Sequence, residues 1–166
     1  MKNPPRVLLM MGSDTDLPIM QEAADILKKF AVPYEMRIAS AHRSPARAMA
    51  LASEAASRGI QIIIAGAGMA APLAGVVAAH TILPVIGVPM PGGALNGVDA
   101  LYATVQMPGG IPVATMAIGK AGAKNAGLFA IQILALTDLS LADSLMRFRV
   151  DLVNEMEQKD SELQAS

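Results

Sequence analysis

The middle of the chain, between Arg58 and Asp99, contains no Asp, Glu, Lys or Arg. A stretch of this kind either spans a membrane or forms strands that are buried on both faces. A membrane-spanning helix needs about 20 uninterrupted apolar residues. Glycine, proline and histidine divide this stretch into shorter pieces, at Gly66, Gly68, Pro72, His80, Pro84 and Pro89. Because interruptions this dense contradict a spanning helix, we predict a buried core and no membrane partner.

Apolar, β-branched runs alternate with amphipathic or alanine-rich runs along the chain. The pattern predicts strands over 6–11, 34–39, 60–66, 83–89 and 110–119. It predicts helices over 16–30, 44–59, 70–80, 98–105, 120–138 and 140–158. In the second helix we expect Ser44 as the N-cap, Pro45 at the first helical position and Gly59 at the end. The polar residues after 158 are expected to fray.

Five alternations of strand and helix predict an α/β fold, with an open parallel sheet in the middle of three layers and helices on both of its faces. We predict a single domain over 1–166, with a core over about 6–137. The extra C-terminal helix, over about 140–158, is expected to pack on a neighbouring subunit. Ligands of such folds bind at the carboxyl ends of the strands. In a sheet of order 2-1-3-4-5 the first two strands are neighbours, so the loops that follow them share one crevice.

The composition limits the partners of the chain. Hydrophobic residues make up 53% of it and charged residues 16%, which indicates that part of its surface is covered by other subunits. A net charge of −1 and 3% aromatic residues give neither the basic stripe nor the stacking surfaces that nucleic acid needs. The lack of cysteine excludes disulfides, thiolate catalysis and cysteine-bound metals. The first apolar run is too short for a signal peptide, so we expect a cytoplasmic protein.

The first candidate for a binding loop is Gly-Ser-Asp-Thr-Asp, residues 12–16, directly after the first strand. Ser13 and Thr15 offer hydroxyl groups, and the N-terminus of the next helix favours an anion such as phosphate. Residues of these types also cap helices, and capping alone would explain them. Two carboxylates repel a phosphate unless one of them, such as Asp16, binds sugar hydroxyls instead.

The second candidate is Ser-Ala-His-Arg-Ser-Pro, residues 40–45, after the second strand. Arg43 carries a fixed fork of donors that suits a phosphate, and His42 is the plausible general acid or base near it, because imidazole is the side chain best suited to proton transfer. The alternative is a solvated or capping histidine beside a surface charge. The other histidine, His80, lies in an alanine-rich helix, where we expect a packing or interface residue.

The third candidate is Gly-Ala-Gly-Met-Ala-Ala-Pro, residues 66–72, after the third strand. It matches the G-x-G-x-x-A fingerprint of dinucleotide-binding proteins. That fingerprint also requires an acidic residue about 20 positions on, and none occurs before Asp99. Gly66 and Gly68 therefore either let a flat heterocycle approach the backbone or let a helix pack closely on the strand.

Taken together, these stretches resemble one family, the carboxyaminoimidazole ribonucleotide mutases of de novo purine biosynthesis. The resemblance also includes the later segments LPVIGVP, LNGVDALYATVQMPGGIPVAT and GKAGAKNAGL, and it runs from about Arg6 to about Leu136. It implies a flavodoxin-like subunit in a homo-octamer. It also implies isomerisation of the carboxyamino ribonucleotide to the imidazole-carboxylate ribonucleotide, with no ATP, metal or organic cofactor.

The resemblance further implies a role for each residue that matches the family's motifs. Ser13 and Arg43 would hold the 5′-phosphate with Thr15 nearby, and Asp16 would bind the ribose. Ser40 and His42 would face the imidazole, beside the backbone of Ala67 and Gly68. His42 would act as the general acid and base while carbon dioxide leaves the nitrogen and is recaptured by the ring carbon.

The chain departs from the family's pattern at one place. Pro72 and Ala74 stand where bacterial mutases often have His and Pro, so a second helper histidine is not expected there. A related branch of the family carboxylates the amino ribonucleotide with free carbon dioxide, and this is the second hypothesis. A non-catalytic phosphosugar sensor, which would not need His42, and an NAD-dependent oxidoreductase are the hypotheses from other classes.

Overall fold

The computed structural model describes residues 4–165 of the chain. These residues form two compact units, 4–130 and 131–165. The first unit contains a five-stranded parallel sheet. Its strands are β1 (Val7–Met11), β2 (Tyr34–Ile38), β3 (Ile62–Ala67), β4 (Val85–Pro89) and β5 (Ala114–Thr115). Their order in the sheet is β2-β1-β3-β4-β5, which confirms the predicted order.

Helices alternate with these strands along the chain. They are α1 (Leu17–Lys29), α2 (Pro45–Ser53), α3 (Leu73–Ala78), α4 (Val98–Val105), α5 (Lys120–Ala135) and α6 (Leu139–Gln164). Short 3-10 turns occupy Asp14–Asp16 and Ala56–Arg58. Helix α6 belongs to the second unit, and α5 begins in the first and ends in the second.

The charge-free stretch forms the centre of the sheet. Strands β1, β3 and β4 are buried along their whole length, because each has a neighbouring strand on both sides and side chains packed on both faces. On one face, Leu8, Met10 and Ile63 belong to a core cluster that also contains Ala48 and Ala52 of α2, and Leu73 and Val77 of α3. Within residues 4–165, no helix is both long and apolar enough to cross a bilayer.

The predicted helix over 44–59 is shorter in the structure. Helix α2 ends at Ser53, a 3-10 turn follows, and Gly59 ends that turn with a left-handed φ of 87°. The hydroxyl of Ser53 donates to the carbonyls of Met49 and Ala50 at 3.0 and 3.2 Å. Such side-chain bonds compete with the helical pattern, which explains why the helix ends there while the glycine stop lies where it was predicted.

Two other predicted boundaries were wrong. The strand predicted over 110–119 pairs only at Ala114 and Thr115, because Gly110 and Gly119 have left-handed φ angles of 99° and 78° and Pro112 has no N–H to donate to a neighbouring strand. The tail that was expected to fray is helical to Gln164. Contacts four residues apart support it, between Lys159 and Glu155 at 2.6 Å and between Gln158 and Glu162 at 2.8 Å.

Candidate active site

The loop after β1 both caps a helical turn and lines a pocket. The Ser13 hydroxyl accepts a hydrogen bond from the backbone N–H of Thr15 at 3.3 Å. The Asp16 carboxylate accepts one from the backbone N–H of Ser13 at 3.1 Å, so the two residues form a capping box. Capping fixes these side chains at the carboxyl end of β1 without removing them from the pocket. The two interpretations of this motif are therefore compatible.

The loop after β2 is closed by its own serines. Ser40 accepts a bond from the backbone N–H of Arg43 at 3.1 Å. The Ser44 hydroxyl accepts a bond from the Ser40 N–H at 3.0 Å and contacts the Ser40 carbonyl oxygen at 3.2 Å. Ser44 is the N-cap of α2 and Pro45 its first residue, as predicted, but the Ser44 side chain makes no capping bond to the helix, because its hydroxyl is engaged with Ser40. These bonds make the segment from Ser40 to Ser44 a compact turn.

Arg43 connects the first two loops. Its Nη2 donates to the carbonyl oxygen of Gly12 at 2.9 Å. This contact is possible because β1 and β2 are parallel neighbours, with Met11 in register with Ile38. The guanidinium has further N–H donors beyond the one that this bond uses. Arg43 is exposed, so those donors can reach an anion in the crevice.

The two glycines after β3 have different roles. A Cβ on Gly66 would lie 2.6 Å from the Met20 sulfur and would also overlap the Met90 side chain, whereas a Cβ on Gly68 would be 3.4 Å from Met90, an ordinary contact. Gly66 therefore serves the packing of α1 and the residue after β4 against the sheet. Gly68 lines the pocket. The two glycines have the spacing of the dinucleotide-binding fingerprint, but the first of them, Gly66, is required by packing against Met20 and Met90.

One cavity of about 320 Å³ lies where the three loops meet. All eight residues that the family resemblance places in the site line it: Ser13, Thr15, Asp16, Ser40, His42, Arg43, Ala67 and Gly68. The remaining wall consists of Gly12, Ala41, Met69, Pro72 and Leu73. Met69 belongs to the third candidate loop, but the sequence pattern assigned it no role, because its position depends on a left-handed backbone, with φ of 55°, that a non-glycine residue seldom adopts.

His42 is the single imidazole of this cavity. Its side chain is exposed, and it makes no hydrogen bond with any side chain or backbone group in the described part of the chain. His80 lies elsewhere, on the exposed surface just after α3, with its Nδ1 2.8 Å from the Val76 carbonyl oxygen. That geometry fixes Nδ1 as the donor. The His42 ring is therefore available to a ligand in the cavity, whereas the His80 ring is outside the cavity and bonded to the backbone of α3. Of the two, His42 is the candidate for acid–base chemistry.

The Asp16 carboxylate is the partly buried acidic group of the cavity. Burial raises its pKa above the ordinary value of 3.8, and this effect outweighs the backbone hydrogen bonds from Ser13 and Gly12 and the Arg43 charge, which lower it. Folding therefore disfavours the ionised form. A neighbouring hydroxyl, such as that of a ribose, would restore part of the solvation that the carboxylate loses.

We expect Asp16→Asn to stabilise the free protein at neutral pH relative to the wild type. A raised pKa in the folded state means that the wild type loses stability as the pH rises from about 3.8 through the raised value, and asparagine does not titrate. The difference in unfolding free energy between the two proteins should vanish at low pH and level off above this window. Urea unfolding at a series of pH values measures it, and a difference that does not change with pH would contradict the assignment.

Comparisons with known proteins agree on one family. The sequence matches the model of the AIR carboxylase family over residues 6–155. The N5-carboxyaminoimidazole ribonucleotide mutase of Pyrococcus horikoshii is 52% identical over 160 residues, which cover 96% of this chain and 89% of that protein. The mutase of Mycobacterium leprae is 51% identical over 164 residues, which cover 99% and 95%. The crystal structure of Treponema denticola PurE has a TM-score of 0.86 at 31% identity and covers 96% of this chain and 98% of that one.

Proposed function

The chain belongs to the AIR carboxylase family, and we propose that it is a 5-(carboxyamino)imidazole ribonucleotide mutase. It converts this ribonucleotide to 5-amino-1-(5-phosphoribosyl)imidazole-4-carboxylate, a reaction of purine nucleotide synthesis. The observation that carries the proposal is the convergence of His42, Arg43, Ser13 and Asp16 on one cavity. Relatives about half identical to the chain over nearly its whole length are named as mutases.

The loops after β1 and β2 would hold the phosphoribosyl part of the substrate. Arg43 is anchored to Gly12 at 2.9 Å and presents its other donors to the 5′-phosphate, a geometry that suits phosphate oxygens. Thr15 adds a hydroxyl donor. The Ser13 hydroxyl, which donates to the Asp14 carboxylate at 3.0 Å in the free protein, would turn to the phosphate. Asp16 accepts hydrogen bonds from the ribose hydroxyls, so its charge is kept away from the phosphate.

The imidazole ring would then lie against the loop after β3. The backbone of Ala67 and Gly68 forms one wall, because Gly68 has no side chain to keep a flat ring away. Ser40 and His42 approach the ring from the loop after β2. This placement brings the His42 imidazole to the carbon and the exocyclic nitrogen between which the carboxylate moves.

The reaction requires one proton to be added to the exocyclic nitrogen and one to be removed from the ring carbon. The bond between the exocyclic nitrogen and the carboxylate carbon breaks, carbon dioxide is released, and protonated His42 gives a proton to that nitrogen. The adjacent ring carbon then attacks carbon dioxide, and His42 removes the proton that this carbon carries. Atoms and protons balance, and His42 returns to its starting state. General acid–base catalysis of this kind contributes about 10²- to 10⁴-fold.

The apolar wall of the cavity would keep carbon dioxide beside the ring. Met69, Pro72 and Leu73 are its larger apolar lining residues. Confinement next to the attacking carbon gives a high effective concentration, and an apolar wall holds out water. Pro72 adds no acid or base there, which is consistent with His42 acting alone. Direct carboxylation by free carbon dioxide would use the same pocket but would not require this confinement.

We further propose that the enzyme is a cytoplasmic homo-octamer, as the resemblance implies. Exposed apolar side chains support burial between subunits. Tyr102 and Val105 of α4 are 61% and 49% exposed, and Leu139 and Met146 of α6 are 83% and 62% exposed. Apolar surface of this kind is typical of subunit interfaces.

The assay that tests the function supplies the carboxyamino ribonucleotide without ATP and without bicarbonate. The absorbance of the imidazole-carboxylate product should appear at a rate proportional to enzyme concentration. A matched reaction starts from the amino ribonucleotide with added bicarbonate and should be slower. A strict dependence on added bicarbonate would favour the carboxylase hypothesis, and no turnover of either substrate would contradict both.

A further inference from the structure

A second cavity adjoins the cavity that contains His42. Its volume is about 440 Å³, and it shares four lining residues with the first cavity: Gly12, Ser13, Ser40 and Arg43. Asp16, Ala67 and Gly68, which would hold the ribose and the ring, line the first cavity alone. The phosphate of a bound ribonucleotide would therefore lie at the junction of the two cavities, and the second cavity would lie beyond it.

The second cavity is large enough for additional phosphate groups. A ribonucleoside diphosphate or triphosphate with its ribose in the first cavity would extend past Ser13 and Arg43 into the second. The residues that line the second cavity alone are Asp14, Ile38 and Ser44. Space does not exclude such ligands, so selection against them has to come from charge.

Asp14 places a negative charge beside the junction. One of its carboxylate oxygens accepts hydrogen bonds from the Ser13 hydroxyl at 3.0 Å and from the backbone N–H of Thr15 at 3.1 Å. A phosphate oxygen that took over the Ser13 hydroxyl would lie within about 6 Å of this carboxylate, because both oxygens would be within hydrogen-bond distance of the same hydroxyl. A hydroxyl has one proton to donate, so Asp14 also competes with the phosphate for Ser13.

The charge of Asp14 is not balanced within the second cavity. Arg43 is the one lysine or arginine among the described residues that line either cavity, and the first phosphate would use it. Arg47 lies near the edge, where its Nε donates to the Ile38 carbonyl at 3.1 Å, but it is not part of the lining. The pKa of Asp16 is raised mainly by burial, and the charge of Asp14 adds to the rise. A second phosphate would therefore meet a carboxylate without a cation to offset it.

We propose that Asp14 is a specificity-determining residue that restricts the site to 5′-monophosphates. It lowers the affinity for ligands with additional phosphates most, because these bring more negative charge closer to its carboxylate. The proposal takes the position of the phosphate from the proposed function. It goes beyond that function in naming a class of ligands that the site rejects and the residue that rejects them.

The 4-carboxamide analogue of the proposed product tests this selectivity, because its 5′-monophosphate and 5′-triphosphate differ only in the number of phosphates. Their Kd values are measured by calorimetry without divalent cations, which would neutralise the triphosphate. The wild type should bind the monophosphate more tightly. In Asp14→Asn the ratio of the two Kd values should shift toward the triphosphate by about fivefold or more. Asp14→Glu, which keeps the charge, should retain the wild-type ratio.

The matched control is Asp25→Asn, which removes the same charge elsewhere. Asp25 is exposed on α1, accepts a hydrogen bond from Gln21 at 2.8 Å and lines neither cavity. Its replacement should leave the ratio unchanged. Equal shifts in the two asparagine variants would assign the effect to net charge and overturn the proposal. A less stable Asp14→Asn protein with the wild-type ratio would give Asp14 only a structural role and also overturn it.

Inorganic phosphate and pyrophosphate make the test independent of the proposed reaction. These ions need only the junction and the second cavity, and their binding raises the melting temperature by mass action. Relative to the wild type, Asp14→Asn should gain more stabilisation from pyrophosphate than from phosphate. This gain, in a protein whose wild type does not turn over the carboxyamino ribonucleotide, would contradict the proposed function and support the role of Asp14. No such gain in an active enzyme would contradict the role of Asp14 alone.

Discussion

Replacing His42 by Asn is expected to lower turnover of the carboxyamino ribonucleotide by about 10²- to 10⁴-fold and to leave its binding nearly unchanged. Asparagine has a similar size and can still form hydrogen bonds, but it cannot carry a proton from the ring carbon to the nitrogen. His42 is exposed and unbonded within the described residues, so the fold should be unaffected. Steady-state kinetics and a binding titration with the same substrate separate the two effects.

The matched control is His80→Asn. His80 is exposed and does not line the cavity, so this variant should turn over at the rate of the wild type. A His42→Asn enzyme that retained more than a tenth of wild-type turnover would contradict the acid–base assignment. Loss of binding together with turnover would instead give His42 a role in holding the substrate.

The largest effect on stability is expected for Gly122→Ala, with a loss of about 3 kcal/mol or more, at or above the upper end for overpacked sites. Gly122 lies in the first turn of α5. A Cβ there would overlap the backbone carbonyl of Ala117. That backbone is held in place, because the N–H of Gly119 donates to the Pro89 carbonyl at 2.9 Å. A flexible side chain could move aside, but this carbonyl cannot. Urea unfolding measures the loss.

Gly75→Ala is the control, because Gly75 also lies in a helix, α3. Its added Cβ would meet only the end of the Met107 side chain, at 3.4 Å. Alanine is favoured over glycine in helices by up to about 1 kcal/mol, so this variant should be unchanged or more stable. Similar unfolding midpoints for the two alanine variants would contradict the crowding at Gly122.

The strand order and the site were predictable because they depend on patterns that the sequence carries. Apolar runs of strand length define the sheet, and parallel neighbours bring the loops after β1 and β2 together. Arg43 and Ser13 could therefore be placed in one crevice before their contacts were known. The bond from Arg43 to Gly12 could not be predicted, because it depends on a side-chain conformation.

The predictions that were wrong concern features that depend on particular side-chain bonds or on an unusual backbone conformation. The end of α2 depends on the Ser53 hydroxyl, which bonds to two carbonyls of its own helix, and helix propensity alone does not reveal this. The polar tail of α6 lacked an apolar pattern after 158, but pairs of side chains four residues apart keep it helical. Met69 lines the pocket because its backbone has a left-handed φ, and sequence patterns do not indicate such a conformation for methionine.

The bond between Arg43 and the Gly12 carbonyl affects how much conformational entropy is lost when the substrate binds. A long, exposed arginine ordinarily samples many rotamers, and immobilising such a side chain opposes association by about 0.5–1.5 kcal/mol. Here the guanidinium is already restrained at 2.9 Å from a main-chain oxygen. The binding crevice is thus preorganised, and more of the attraction between guanidinium and phosphate appears as affinity.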